Sequence, residues 1–390
     1  MLWVSMSAAF AWVVLLLFRY GFWRADQVLP EAPDPRAWPP VIAVIPARDE
    51  AETIGQVIAS HMTSTYPGNF AVVVVDDHST DGTRAAAETA DNEARAFAVL
   101  RGKPLPAGWT GKLWAMAQGI EAVDEAMPEA RYVLLTDADI VHAPDTVERL
   151  VAHAEHHSLA MVSLMARLRA KGIWGWLLVP AYVFFFQKLY PFPAVNNPHS
   201  SVAAAAGGCM LVRRDALRTF GGVRAIRGAL IDDCALAAEL KGSAGDGDRG
   251  RRAIWLGLAG REVISLRRTD RLGTMWETVV RTAFRQLYRS WFLLILCLFG
   301  MALLYLAGPV ALFSYGIHGS LWAALFGAVA WVLSARAYAP TLRAYALPTI
   351  LAFLLPLSAT VFMLMTLDSA RRDLAGKSSP WKGRTYSDLA

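Results

Sequence analysis

The sequence is short of charge and of cysteine. Acidic and basic residues make up only 18% of its 390 positions, against 55% hydrophobic residues that include 14 Trp and 17 Phe. An ordinary soluble enzyme carries about 25% charged residues, so this class is excluded for the chain as a whole. The three cysteines, Cys209, Cys234 and Cys297, stand far apart. They lack the paired spacing of a zinc site or a disulfide framework and read as small apolar residues. A basic tract interleaved with aromatics is also missing, because the net charge of +5 comes from scattered arginine clusters. Nucleic acid is therefore not an expected partner, and an anionic bilayer surface is.

The apolar excess lies towards the two ends. Leu2–Phe18 is uncharged, carries Trp3 and Trp12, and is followed by Arg19, Tyr20, Trp23 and Arg24. No positive region precedes it and no small-residue cleavage site follows closely, so residues 1–24 read as an uncleaved transmembrane anchor rather than a signal peptide. The basic flank puts the N-terminus outside and the following domain in the cytosol, as in a multi-pass protein of a bacterial-type inner membrane. Three further runs, 291–313, 318–334 and 348–367, approach the roughly 20 residues a crossing needs and form a C-terminal membrane block over 290–368. The second is short. The last contains Pro348 and Pro356 and is the foremost candidate for a re-entrant or interfacial path. Four full crossings would leave the basic tail, 369–390, outside with Arg371, Arg372, Lys377, Lys382 and Arg384.

Between the ends, residues 40–289 read as a cytosolic α/β domain. Residues 41–45 are a continuous apolar run closed by Pro46, as in a buried parallel strand, and Asp49, Glu50 and Glu52 predict a helix opening towards Met62. The pattern repeats at 71–75, which ends in Asp76 and Asp77, and at 131–136, which ends in Asp137-Ala138-Asp139. Strands alternating with helices predict a mostly parallel sheet, with ligands bound beyond the carboxyl ends of the strands, where these acids fall. A further run, 173–190, carries Trp174, Trp176, Tyr182 and three successive Phe among basic residues. It suits an interfacial helix through which a lipid acceptor approaches, with a buried core helix as the alternative.

Two carboxylates at i and i+2, Asp137 and Asp139, can reach one Mg²⁺ or Mn²⁺ that keeps positions open for phosphate oxygens; the bland alternative is a capping pair at a strand-to-helix turn. Asp76 and Asp77 offer acceptors for a nucleobase edge or ribose hydroxyls, while Ser79 or Asp81 caps the following helix. Gly207 and Gly208 before an apolar strand allow close backbone approach by a ligand, or a tight turn. Asp232 and Asp233 precede a helix, where acids are often caps and where one can be a general base. His142 reads as a surface histidine, and His153, His156 and His157 as residues of a solvated helix.

In order and spacing, Val44-Ile45-Pro46-Ala47-Arg48-Asp49-Glu50, Val75-Asp76-Asp77-His78-Ser79-Thr80-Asp81-Gly82-Thr83, Gly111-Lys112, Asp137-Ala138-Asp139 and Asp232-Asp233 resemble the family-two inverting glycosyltransferases of the GT-A fold. More narrowly, the N-terminal anchor, Trp109-Thr110-Gly111-Lys112-Leu113-Trp114 and the C-terminal apolar block resemble the hopene-associated glycosyltransferases, with ceramide glucosyltransferase-like enzymes as relatives. The resemblance implies that a nucleotide-sugar donor is bound by Pro46, Glu50, Asp76, Asp77, Lys112, Asp137 and Gly208. Asp77 would hold the base, Glu50 would lie near the ribose, and Asp137 would face the sugar or ribose. Asp139, with Asp137, would hold a divalent cation, and Asp233, beside Asp232, would be the catalytic base.

The implied reaction transfers one hexose or N-acetylhexosamine, from a UDP-sugar above all, to a membrane lipid such as a hopanoid. Trp174, Trp176, Gln286, Arg289, Trp291, Trp381 and Arg384 would lie on the acceptor and membrane side. Two departures stand out. Asp232 replaces the glutamate usual before the base, and Gln286-Leu287-Tyr288-Arg289-Ser290-Trp291 places its Trp one residue later than the Gln-x-x-Arg-Trp of processive relatives. A processive polysaccharide synthase is thereby disfavoured. A non-catalytic scaffold that binds nucleotide-sugar or lipid is the alternative of another class.

Overall fold

The computed structural model describes residues 1–91, 93–242 and 253–376. Trp381 and Arg384 lie outside the described residues. Two compact units share the chain: one of Asp26–Leu168 and Ala194–Arg267, the other of Met1–Ala25, Arg169–Pro193 and the helices from Arg268 onward.

Among its described residues the first unit has nine strands: β1 Val41–Ala47, β2 Phe70–Asp76, β3 Ala96–Arg101, β4 Tyr132–Thr136, β5 Ile140–His142, β6 Met161–Met165, β7 Cys209–Arg213, β8 Ile254–Leu258 and β9 Val263–Ser265. Seven form one sheet in the order β3-β2-β1-β4-β7-β6-β8, and β5 pairs with β9. The β3-β2-β1-β4 portion is parallel, as the alternating pattern predicts, whereas β7 runs antiparallel to both β4 and β6. Every residue of β1, β2 and β4 is buried, which is why these strands read as unbroken apolar runs.

Helices cover the sheet. Ile54, Val57 and Ile58 of Ile54–Met62 pack into the core shared with Val41, Ile45, Val72 and Val74. On Gly111–Ala126, Gly119 faces β1 and β2 so closely that a Cβ there would collide with Val44 Cγ1 and meet Val75 Cγ2 at 3.2 Å. The helix after β1 starts later than the acids suggest. Asp49 takes a left-handed backbone (φ 49°), and Thr53 is the residue before the helix. Asp49 and Glu50 are engaged by the neighbouring loop instead of capping a first turn.

The second unit is helical and apolar. Among the described residues, four stretches are long and apolar enough to cross a membrane: Gly172–Val195, Trp291–Phe313, Leu321–Ala344 and Thr349–Leu374. The expectation of a short second C-terminal segment is corrected. The helix continues past Arg336 to Ala344, with Tyr338, Thr341 and Leu342 buried, so a hydropathy window that stops at the first charge underestimates it. The last stretch changes helix type between its prolines: Thr349–Leu354, after Pro348, is a 3₁₀ helix, and Pro356 occupies the first turn of the α-helix Leu355–Leu374, where a backbone N–H has no intrahelical partner to lose. Gly308 and Gly327 let Trp291–Phe313 and Leu321–Ala344 touch, since a Cβ on either would lie 2.9 or 2.7 Å from the other's carbonyl oxygen.

Candidate active site

The loops that follow β1 and β2 are laced together. Asp77 N–H donates to the Ala47 carbonyl (2.8 Å), and Arg48 donates to the Asp77 carbonyl while its Nη1 lies 3.8 Å from Asp77 Oδ2. Asp49 accepts from Thr80 N–H (2.8 Å), Thr83 Oγ1 accepts from Glu50 N–H (2.8 Å), and Asp81 accepts from the N–H groups of Ala51 and Thr83. Neither Ser79 nor Asp81 caps the helix Thr83–Thr89, which follows Gly82 without a side-chain cap; Asp81 instead ties the loop to Ala51, and Ser79 Oγ accepts from Asp49 N–H. Asp76 accepts from Ser79 N–H, and Asp76 and Asp77 are both buried. Pro46 lies within β1, opposite Val75.

At the end of β4 the acids divide. Asp137 Oδ1 is 2.7 Å from Lys112 Nζ, whose other partner is Asp232 Oδ2 at 3.0 Å. Lys112 reaches them from the first turn of Gly111–Ala126, whose start is fixed by Thr110 Oγ1 accepting from Leu113 N–H. The side chain is thus held within the cluster rather than exposed at the helix start. Asp139 Oδ2 accepts from Ser265 Oγ (3.2 Å) and lies 3.1 Å from Arg267 Nε, and Arg267 Nη2 stands 4.0 Å from Glu50 Oε1. Thr53 Oγ1 joins the same group, lying 3.2 Å from Glu50 Oε2 and 2.9 Å from the Ala138 carbonyl.

Asp233 completes the cluster. Its Oδ2 accepts from Gly207 N–H (2.9 Å) and its Oδ1 from its own helix at Cys234 N–H (2.7 Å). A Cβ on Gly207 would sit 3.2 Å from Lys112 Nζ and 3.5 Å from Asp233 Oδ2, so glycine is what lets this strand entry press against both. Gly208 accepts a hydrogen bond from Thr136 Oγ1 at its carbonyl (2.8 Å), in the turn that enters β7. Lys112, Asp137, Asp232, Asp233 and Gly207 therefore share one locus, and Glu50, Asp139 and Arg267 share another, joined through the three-residue span of Asp137 to Asp139.

Burial, and then the neighbouring Asp232, push Asp233 up to about 6, against the pull of Lys112 and the two backbone N–H groups. Burial likewise raises Asp137, with Lys112 opposing. For Lys112 burial works against the charge, but Asp137, Asp232 and Asp233 together hold its pKa above the ordinary lysine value. A carboxyl that titrates near neutrality, beside an ammonium that does not, suits a proton acceptor.

Two residue groups were misread or missed in the sequence. His142 is a buried residue of β5, bonded to Thr136 Oγ1 (3.0 Å) and stacked 4.7 Å from the ring of buried His61. Burial lowers His61 to about 4 and His142 well below its usual value, so both are neutral parts of the core. His153 is likewise buried, against Trp255, because an amphipathic helix turns that face inward. Arg267 escaped notice altogether. It follows β9, and nothing local in Glu262-Val263-Ile264-Ser265-Leu266 signals that a two-strand pairing carries it to Asp139.

The acceptor-side candidates belong to the helical unit. Gln286 donates to Tyr190 Oη (2.6 Å), Arg289 pairs with Asp373 (3.3 Å), and Trp291 packs on Phe284 while staying half-exposed. Trp174 and Trp176 are exposed. Among the described residues, no group of three His, Cys, Asp or Glu side chains is arranged to hold a metal ion. Asp137 and Asp139 instead offer two hard-oxygen donors that already hold cationic side chains. That donor set fits an ion which brings further oxygens from a phosphate ligand, and does not fit an all-protein cage.

Residues 42–221 match the family model described as "Glycosyl transferase family 2". Among solved structures, a mannosyltransferase from Pyrobaculum calidifontis, in complex with GDP-Man and Mn²⁺, aligns over 96% of this chain and 99% of its own, at 19% identity and a TM-score of 0.51. Mannosyl-3-phosphoglycerate synthase from Rubrobacter xylanophilus (65% and 76% covered, 20% identity, TM-score 0.38) and glucosyl-3-phosphoglycerate synthase from Mycobacterium tuberculosis (63% and 78%, 21% identity, TM-score 0.38) are more distant in shape. A search of curated proteins returns no match. The fold is GT-A, α/β with a mostly parallel seven-stranded sheet.

Proposed function

We propose that this chain, through its glycosyltransferase family 2 domain, transfers one sugar from a nucleotide-sugar to the hydroxyl of a membrane lipid, with inversion at the anomeric carbon. The observation that carries this reading is the placement of Asp233. Its carboxyl is raised to about 6 and fixed by two backbone N–H groups, and it lies beside the same Gly207 that Lys112 approaches. A carboxylate has about four acceptor positions, so two remain for an incoming hydroxyl.

Asp233 takes the proton of the acceptor hydroxyl as its oxygen attacks the anomeric carbon, and the bond to the nucleoside diphosphate breaks with its electron pair on the departing phosphate. Asp77 and Asp76 suit the nucleobase and ribose edges, with Glu50 beside them. Lys112 holds Asp137 and Asp232 in place beside it. A divalent cation bound at Asp139 and Asp137 would supply positive charge that offsets the departing diphosphate, in keeping with the Mn²⁺ of the Pyrobaculum calidifontis mannosyltransferase.

The lipid acceptor follows from the company the domain keeps. Four apolar helices and the basic flank Arg19 and Arg24 suit a multi-pass protein of a bacterial-type inner membrane with its catalytic domain in the cytosol. The resemblance to hopene-associated enzymes points to a polycyclic alcohol of the hopanoid class, and UDP is the expected nucleotide. The test is transfer by the purified full-length chain from a panel of labelled nucleotide-sugars, with Mn²⁺, into lipid extract. A glycolipid whose new linkage has the anomeric configuration opposite to the donor supports the reading. Absence of both transfer and donor hydrolysis across the panel favours a binding scaffold, and a growing polymer favours a polysaccharide synthase.

A further inference from the structure

The helical unit is poor in carboxylates. Its described residues contain four, Asp270, Glu277, Asp368 and Asp373, and each is already ion-paired: Asp270 with Arg169 and Arg268, Glu277 with Arg372, Asp368 with Arg371 and Arg372, Asp373 with Arg289. None pairs with Lys188 or Arg19, which stand together where the helices Leu2–Phe18 and Gly172–Leu189 end.

Lys188 points its ammonium into an aromatic setting rather than towards a counter-charge. Nζ donates to Tyr305 Oη (2.8 Å) and lies 4.7 Å from the Tyr305 ring and 5.6 Å from that of Phe185. Arg19 spans the end of the same helix, with Nη2 donating to the Leu189 carbonyl (3.1 Å), and Nε and Nη2 both 3.4 Å from the Lys188 carbonyl. Tyr305 itself is set by a π-helical turn, Ala302–Leu306, in which the Leu304 carbonyl accepts from Trp12 Nε1 (2.7 Å). Such turns break the regular ladder and recur at functional positions.

The donors left over define the missing partner. An ammonium has three N–H groups, and among the described residues only one of these has an acceptor, a neutral phenol. Arg19 Nη1 has no hydrogen bond among the described residues. Ring faces attract a cation only weakly, which does not offset placing two like charges together among apolar helices. An ionisable group in such a setting is a functional site by default, and its partner should be named.

We propose that Lys188, Tyr305 and Arg19 bind the phosphate of an anionic membrane phospholipid. The Lys188 ammonium and Arg19 Nη1 donate to the phosphate oxygens, Tyr305 Oη adds its own hydrogen while accepting from Lys188, and the exposed Leu17 and Phe18 beside Arg19 lie against the acyl chains. The site presupposes that the apolar helices lie in a bilayer, as in the function proposed above, and is independent of which hydroxyl receives sugar.

The test is native mass spectrometry of the full-length chain, exchanged into phosphatidylcholine alone or phosphatidylcholine with phosphatidylglycerol. The wild type should retain phosphatidylglycerol in preference. Lys188→Met should weaken that retention about tenfold or more, as for loss of a charge-assisted hydrogen bond. Arg19→Gln should weaken it less, and Lys188→Arg should keep it. Equal retention of the two lipids, or undiminished preference in both Lys188→Met and Arg19→Gln, overturns the site. Displacement of the lipid by inorganic phosphate would make the occupant a soluble anion and overturn the lipid assignment. Release of the chain from membranes by alkaline carbonate would overturn the bilayer reading and the site with it, whereas lipid indifference in a chain that resists carbonate overturns the site alone.

Discussion

The strand ends of the α/β unit and the helix ends of the apolar unit treat charge in opposite ways. In the α/β unit each acid of the cluster has a cation or a backbone donor of the same unit against it: Lys112 for Asp137 and Asp232, Arg267 for Asp139 and Glu50, Gly207 and Cys234 N–H for Asp233. In the apolar unit Lys188 and Arg19 meet phenol, rings and carbonyls, with no carboxylate among the described residues. A field completed within the chain can set the proton affinity of one group in advance, which is what a base needs. A field left incomplete calls for a ligand from outside. In the roles proposed for them, charged groups serve catalysis in one region and recognition in the other.

The contrast breaks most visibly if Lys112 is removed. Lys112→Met leaves Asp137, Asp232 and Asp233 close together without their shared cation, and kcat/KM should fall about a hundredfold, with Lys112→Arg partly restoring it. The pH profile sharpens the same point. Asp233 must be ionised to accept a proton, so kcat/KM should decline about tenfold per pH unit as the pH falls below about 6. In Lys112→Met the midpoint should move upward, because the charge that favours the carboxylate is gone. A midpoint that stays put, read from pH–rate profiles of both proteins, would mean that Lys112 does not act on Asp233.

Arg267 tests whether the second locus is completed in the same manner. Its guanidinium pairs with Asp139 Oδ2, an oxygen that would otherwise be open to a cation, so Arg267→Gln should bind Mn²⁺ in the absence of nucleotide about tenfold more tightly, measured by electron paramagnetic resonance titration. Weaker binding would make Arg267 a support for the cation and not its competitor. Gly119→Ala is a purely structural probe. The new methyl must displace Val44 and Val75, and thermal or denaturant melts should show a loss of about 1–3 kcal/mol with little change in KM.

The smallest effect concerns the buried imidazoles. The folded-state pKa of His61 is depressed to about 4 below the usual 6.5, so the unfolded chain binds the extra proton first. Stability on this count is fully present above about pH 6.5 and declines as pH falls towards 4. His61→Leu should flatten that decline, and an unchanged acid limb in chemical denaturation would contradict it.

Much of the fold was legible because β1, β2 and β4 are buried on both faces and therefore appear as apolar runs, each followed by acids at a strand end. Asp76, Asp77, Asp137 and Asp139 were readable as candidates for the same reason, and Asp232 and Asp233 as an acid pair before a helix. The partners were not. Lys112 meets Asp137 from the far end of the helix that precedes β4 and meets Asp232 from a distant part of the chain, Arg267 meets Asp139 only because β9 pairs with β5, and the antiparallel course of β7 is set by its neighbours β4 and β6. The acids at Asp49 and Glu50 looked like a helix start because local rules favour it, whereas hydrogen bonds to Thr80 and Thr83 hold them as a loop. The helix Leu321–Ala344 outran its apolar window because Tyr338 and Thr341 are buried by packing, a fact that hydropathy does not contain.

The central claim is that Asp233 accepts the proton of the incoming hydroxyl, and Asp233→Asn tests it most directly when donor binding and single-turnover transfer are measured on the same preparation. The amide keeps the shape and can still accept from Gly207 N–H, so nucleotide-sugar affinity should stay within about threefold while transfer falls about a thousandfold. Transfer that survives within about tenfold of the wild type, at unchanged donor affinity, would place the base elsewhere.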